Sequence, residues 1–178
     1  MKIRAICTDI DGTLLDMHRQ LSARTKAAFR RLPKDFPVIL ASSRMPSAMT
    51  HLLEELGRPL QPLICYNGGY ILAPDPHDQE VLPLSSISIS IAHCSVILKL
   101  TEGTSIHVSL YSADQWYAPK ADSWTEKEET VTKVKSVLKP GEKVLESWKQ
   151  SGTGAHKVMC MGEASEIQYL YDRLESLL

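Results

Sequence analysis

Apolar residues fall along this chain in short runs broken by polar and turn-forming positions. Ile3, Ala5, Ile6 and Cys7 lead to Thr8-Asp9, which predicts a first strand from Ile3 to Thr8, apolar on both faces. Ser22 is placed to cap a helix running to about Leu32, and Pro33 and Pro37 bracket a turn into a second strand, Val38-Ile39-Leu40-Ala41. Pro46 can open the next helix, where Met49, Leu52, Leu53 and Leu56 form one apolar stripe that Gly57 ends. Pro59 and Pro62 then lead into a third strand, Leu63-Ile64-Cys65. Strand, helix, strand, helix, strand is the pattern of a parallel α/β sheet.

The pattern then changes. Pro74-Asp75-Pro76 and the Ser-rich stretch from Leu82 to Ser90 read as an exit from this layer and a linker. Ile89, Ala92, Val96, Ile97 and Leu100 mark a helix ended by Gly103. Ile106, Val108 and Leu110 then alternate with His107, Ser109 and Tyr111, as in a strand with one buried face. Val131, Val134 and Leu138 mark another helix, Val158 to Met161 a strand, and Ile167, Leu170, Tyr171, Leu174 and Leu178 a final helix. The expected organisation is an α/β layer over residues 1–83 and an α+β layer over residues 84–178.

Composition narrows the classes. With 178 residues and 43% hydrophobic content, the chain can bury one sizeable core or two small ones. Twenty Lys and Arg against 21 Asp and Glu, a net charge of -1, give no reason to expect a nucleic-acid or acidic-membrane partner. There is no run of eighteen apolar residues, and an acid by Asp9 speaks against a signal peptide, so a cytoplasmic protein is expected. Cys7, Cys65, Cys94 and Cys160 lie far apart in apolar segments, which suits buried free thiols better than a disulfide or a zinc site.

The candidate chemistry sits where the three strands of the first layer end. In an open α/β sheet those carboxyl ends share one rim, the usual ligand site. The first strand ends in Asp9-Ile10-Asp11-Gly12-Thr13. Two acids there can bind a divalent metal, or one can attack as a nucleophile while the other moves protons. A strand-end Asp can also simply form a turn or cap, but that leaves the second acid and the Thr without a role. Ser42-Ser43-Arg44 follows the second strand, where a hydroxyl and the N–H groups at a helix start suit a phosphate, although an ordinary cap with a solvated Arg would look the same. Tyr66-Asn67-Gly68-Gly69 follows the third strand and reads locally as a tight turn.

Asp9-Ile10-Asp11-Gly12-Thr13-Leu14-Leu15 resembles the first motif of the haloacid dehalogenase-like (HAD) phosphohydrolases, and the segments after it resemble the Cof-type branch, in which a large cap is inserted. The resemblance implies a Rossmann-like parallel-sheet core, here its N-terminal part, with an α+β cap. It implies a Mg2+-dependent phosphohydrolase of small phosphorylated metabolites, with sugar phosphates as the expected class. In that mechanism Asp9 is the nucleophile that becomes an aspartyl-phosphate and Asp11 the acid and base, and the two are also the metal ligands. Ala41-Ser42-Ser43-Arg44 sits where the family usually has Ala-Thr-Gly-Arg, which implies a phosphate-binding hydroxyl on Ser42 and a departure from Gly at Ser43. Ile10, Gly12, Thr13, Ser43, Arg44 and Asn67 complete the implied phosphate-binding set.

Two family motifs are absent: the lysine that neutralises the phosphate, and the Gly-Asp-x-x-x-Asp stretch that completes the metal site, both of which follow the cap. Lys157 precedes the strand Val158 to Met161 within the cap pattern and is not assigned that role. A truncated chain is therefore expected, with weak Mg2+ binding and a first strand left at a sheet edge, prone to self-association. The alternative reading is an inactive remnant that serves as a binding or interaction module. Within the cap, Trp116, Tyr117, Lys120, Asp122 and Trp124 could hold a sugar, but aromatics there are expected to be core, with Lys120 and Asp122 on a solvated loop. His107 and His156 are expected to be structural or exposed.

Overall fold

A computed structural model describes residues 2–177 apart from residues 76 and 79. The chain divides into two compact units, one ending at Ile87 and the other starting at Ser88.

The first unit is built on β1 (Ile6–Asp9), α1 (Ala23–Arg30), β2 (Val38–Ala41), α2 (Ser47–Glu55), β3 (Leu63–Cys65), β4 (Tyr70–Pro74) and β5 (Val81–Ser86). Its sheet has the order β1-β2-β3-β4-β5, in which β1, β2 and β3 are parallel while β4 and β5 fold back antiparallel. Ile10, Leu14, Val38, Leu40, Met49, Leu52, Leu56 and Leu63 are all buried and form its core. Ser22 caps α1 by accepting from the Thr25 N–H at 3.0 Å, as its position predicts. At the end of α2, Gly57 adopts φ +70 and the Arg58 N–H reaches back to the Leu53 carbonyl at 2.8 Å, a left-handed stop that favours glycine.

Three expectations for this unit change. The first strand begins at Ile6, and Ile3 is 68% exposed, because β1 pairs with β2 on one side and stands at the sheet edge. The same position leaves Cys7 exposed, whereas Cys65 and Cys94 are buried; all four thiols are free. The stretch read as a linker contains β5, paired with β4 across a bulge between Ile71 and Leu72, so the first unit continues past residue 83 to Ile87. Pro83 fits there because an edge strand tolerates a missing N–H. Of the proposed exit, Pro74 ends β4 and Pro76 lies outside the described residues.

The second unit contains α3 (Ile91–Thr101), β6 (His107–Ser112), β7 (Gln115–Ala118), α4 (Ser123–Thr132), β8 (Val137–Leu138), α5 (Gly141–Ser151), β9 (Lys157–Met161) and α6 (Ala164–Glu175). Its sheet order is β8-β7-β6-β9. Val108 and Leu110 of β6 pack with Cys94 and Ile97 of α3 and with Val144, Leu145 and Trp148 of α5. The helix expected through Leu138 stops at Thr132, since Lys133 is left-handed at φ +59, and Val137 and Leu138 form a short strand. β7 and α5 are not among the expected elements, although Val144, Leu145 and Trp148 form one buried face of α5 between Pro140 and Gly152, and Leu178 lies outside the described residues. No helix among the described residues is long and apolar enough to cross a membrane.

One side chain holds the turn that feeds β2. Arg58 is 6% exposed, and its guanidinium donates to the carbonyls of Phe29, Leu32, Pro33, Lys34 and Phe36 at 2.9–3.4 Å. It thereby satisfies the carbonyls at the end of α1 and along the following loop. Lysine offers three donors from a single point and cannot span them. Arg58→Lys should lower stability by about 2 kcal/mol and Arg58→Ala by about 3 kcal/mol or more, read from the midpoint of urea unfolding. A loss under about 0.5 kcal/mol in both would remove Arg58 from this role.

Candidate functional site

The register of the parallel strands gathers the candidate residues. Asp9, the last residue of β1, lies opposite Ala41, the last of β2, and Ala41 lies opposite Ile64 of β3. The residues after these three positions therefore leave the sheet side by side. The Ser42 N–H donates to the Ile64 carbonyl at 2.9 Å, the Asn67 N–H to the Ser42 carbonyl at 3.1 Å, and the Tyr66 N–H to the Arg44 carbonyl at 3.2 Å. These backbone bonds join the loop after β2 to the loop after β3. Asn67 takes a left-handed conformation at φ +55, which asparagine tolerates, and is exposed.

After β1 the chain makes a wide turn closed by the Leu15 N–H on the Ile10 carbonyl at 3.0 Å. Ile10 is fully buried, with Leu14 and Leu15 buried behind it, so the turn is pinned to the core while Asp9, Asp11, Gly12 and Thr13 are exposed. Gly12 makes the turn possible at φ +77. The Asp9 carbonyl accepts from the Thr8 hydroxyl at 2.9 Å. Ser43, where the family pattern has Gly, is exposed and is not among the residues with positive φ, so this backbone conformation does not require glycine.

The strongest contact in the site joins the two loops. Arg44 donates through Nε to Asp11 Oδ2 at 2.9 Å and through Nη2 to Asp11 Oδ1 at 2.7 Å, a two-pronged ion pair. Its Nη1 donates to the Ala48 carbonyl in the first turn of α2 at 3.3 Å. Arg44 is 8% exposed, so it is not the solvated arginine of an ordinary cap. The Ser42 hydroxyl is buried beside it and accepts from the Arg44 N–H at 3.3 Å. Sequence reasoning named both Asp11 and Arg44 without joining them. They are 33 positions apart, and no local pattern reports such a pairing.

Magnesium is held in proteins by oxygen donors, commonly one or two carboxylates together with substrate phosphates. The exposed Asp9 carboxylate and the Asp11 main-chain carbonyl suit that arrangement, whereas the Asp11 carboxylate is engaged by Arg44. No group of three or more His, Cys, Asp or Glu side chains suited to a metal occurs among the described residues. The donor set fits a magnesium ion that also draws ligands from a bound phosphate.

In the second unit, the polar face of β6 forms a buried network. His107, 1% exposed, contacts Asp122 Oδ2 through Nδ1 and the Ser109 hydroxyl through Nε2, both at 2.9 Å, and the Trp116 indole donates to Ser109 at 3.1 Å. A serine, a histidine and an aspartate in line invite comparison with a hydrolytic triad. Ser109, however, is fully buried and already accepts from Trp116, so the network ties α4 to the sheet. Asp122 is thus not on a solvated loop. It caps α4 by accepting from the Trp124 and Thr125 N–H groups. Burial works against its charge, but the Thr125 N–H and His107 outweigh it and hold the carboxyl below the usual range. Lys120 is 68% exposed, and Trp116 is core at 2%. His156 accepts from the Ala113 N–H at 2.9 Å through Nδ1, and burial lowers its basicity. Lys157 lies over the Tyr111 ring at 5.0 Å. A groove of about 790 Å³ between α3 and α5 also lies in this unit, and among the described residues that line it no nucleophile is paired with a base.

The haloacid dehalogenase-like hydrolase family model matches residues 6–178. A putative phosphatase of Haemophilus influenzae is 26% identical over 172 residues, which is 94% of this chain and 60% of that protein. Among solved structures, a Thermotoga maritima protein superposes with a TM-score of 0.80 at 20% identity, covering 98% of this chain and 62% of its own. A HAD subclass IIB sugar phosphatase superposes with a TM-score of 0.70 at 12% identity, covering 97% of this chain and 64% of its own. The chain thus spans under two thirds of the length of these relatives, and the structural likeness concerns the α/β fold. With its family motif on the β1 turn and the match running to its last residue, the chain belongs to the haloacid dehalogenase-like hydrolases.

Proposed function

We propose that these residues carry part of the active site of a Mg2+-dependent phosphohydrolase that acts on small phosphorylated metabolites in the cytoplasm, sugar phosphates being the preferred class. The observation that carries this reading is the placement of an exposed Asp9 at the end of β1, beside an Asp11 held by Arg44 and in register with the Ser42 loop. Family membership and the likeness to a sugar phosphatase support it.

An Asp9 carboxylate oxygen attacks phosphorus in line with the ester oxygen. The new bond makes an aspartyl-phosphate as the P–O bond to the leaving group breaks. Asp11 delivers a proton to the departing oxygen, then takes one from the water that attacks the aspartyl-phosphate, releasing phosphate and restoring Asp9. The Ser42 hydroxyl and the backbone N–H groups of Ile10 and Asp11 donate to the phosphoryl oxygens, with Gly12, Thr13, Ser43 and Asn67 framing the same rim. The Asp9 carboxylate and the Asp11 main-chain carbonyl would hold a magnesium ion, which would supply neutralisation of phosphoryl charge. An acid at position 11 suits ester hydrolysis because a departing alkoxide needs a proton.

The longest natural chain containing these residues, assayed against a panel of phosphate esters, is expected to hydrolyse sugar phosphates. In that chain Asp11→Asn should slow esters with poor leaving groups at least about tenfold more than activated aryl phosphates, since only the former need full protonation. Equal losses across both classes would remove Asp11 from the acid role. A lack of turnover for every ester would favour the reading of a non-catalytic binding module.

The edge position of β1 supports a second property, self-association of this chain through its unpaired backbone groups. Sedimentation equilibrium should detect dimers or larger species of the 178-residue chain at concentrations of about 100 µM, an affinity that calls for only about 5.5 kcal/mol. A strictly monomeric chain would contradict it.

A further inference from the structure

The division of exposure across the ion pair between Asp11 and Arg44 is unequal. The Arg44 side chain is 8% exposed and the Asp11 side chain 46%. The buried partner is the one with all three nitrogens engaged: Nε and Nη2 on Asp11, Nη1 on the Ala48 carbonyl. A guanidinium has five N–H donors, and a phosphate-binding arginine must aim a pair of them at its ligand. Here the fork that would grip a phosphate already grips a carboxylate, and the remaining N–H groups have little surface from which to reach one. Asp11 keeps nearly half of its side-chain surface open toward solvent, with lone pairs left on both oxygens.

We infer that Arg44 is a positioning residue: it fixes the orientation of the Asp11 carboxylate and makes no contact with the phosphoryl group. The inference rests on the phosphohydrolase reading for what Asp11 then does, and it moves Arg44 out of the phosphate-binding set that the family resemblance implies. The mechanical logic is local. Asp11 sits on a turn that glycine makes possible and could point several ways, whereas Arg44 is anchored to the first turn of α2 and its N–H and carbonyl are bonded to Ser42 and Tyr66. Gripping both carboxylate oxygens passes the rigidity of α2 and the loop after β3 to the proton-transfer group. It also registers that group against the Ser42 hydroxyl. Proton transfer depends on such placement, because a misplaced acid loses rate without weakening substrate binding.

The pairing can be read directly on this chain with inorganic phosphate as the probe. The Arg44 Nε–H signal, assigned in 1H–15N spectra by its loss in Arg44→Lys, should shift in Asp11→Asn. It should stay in place when phosphate is added at concentrations that move the backbone amides of Gly12 or Ser42. A comparable shift of the Arg44 signal with phosphate, or indifference to Asp11→Asn, would overturn the inference. If phosphate moves no amide of residues 10–13 or 42–44, the titration is repeated on the longest natural chain, where the same silence would overturn the phosphohydrolase reading, and the Asp11→Asn spectrum still decides the pairing. In the longest natural chain, Arg44→Met should lower kcat on alkyl phosphates about tenfold or more with KM within about twofold, and should add nothing to the loss in Asp11→Asn. Arg44→Lys, which keeps the charge but not the fork, should fall in the same direction by less. A raised KM with unchanged kcat, or losses that add to those of Asp11→Asn, would return Arg44 to phosphate binding.

Discussion

The register between β1 and β2 is the constraint from which the rest of the site follows. Because Asp9 pairs opposite Ala41, the turn after the first strand and the loop after the second leave the sheet at the same level. Only then can Arg44 reach both oxygens of Asp11 while its backbone stays bonded to Ser42 and Tyr66. The register is held by buried side chains: Val38, Leu40 and Leu63 lie on one face of the sheet and are buried, and Cys65 of β3 contacts Met49 of α2 at 3.8 Å. A slip of one residue would bring a different residue opposite Asp9, and the forked contact would be lost.

Two arginines divide the work of fixing that register's surroundings. Arg58 gathers five carbonyls from the end of α1 and the loop before β2, so the second strand enters the sheet from a fixed position. Arg44 acts at the other end of the same strand and links its exit loop to the turn after β1. Both are largely buried and both use a planar fork with several donors, which lysine lacks. The strand between them, Val38–Ala41, needs only to be apolar and short.

What the sequence made legible was local. The apolar stripes of α2 and α3, the cap at Ser22, the stop at Gly57 and the acids after β1 all announce themselves within a few residues. Apart from α5, whose apolar stripe is local, the missed features depend on more than local apolar spacing. β5 looks like a Ser-rich linker until β4 pairs with it. The expected helix around Val134 ends early because Lys133 turns left-handed, which nothing in the apolar spacing reveals. In the site, Asp11 and Arg44 each read as ligand-binding groups, and their engagement with one another could not be inferred from positions 33 residues apart. His107 likewise became interpretable only once Asp122 and Ser109 were seen on its two nitrogens.

The account stands on Asp9 as the group at the strand end that bonds to phosphorus. The most direct measurement is chemical trapping. The longest natural chain, mixed with a sugar phosphate, is quenched in the steady state and reduced with borohydride, which converts an aspartyl-phosphate to homoserine, and the peptides are sequenced by mass spectrometry. Homoserine at position 9, absent without substrate, is the result expected. Continued hydrolysis with reduction at another acid, or with an unmodified Asp9, would contradict the account.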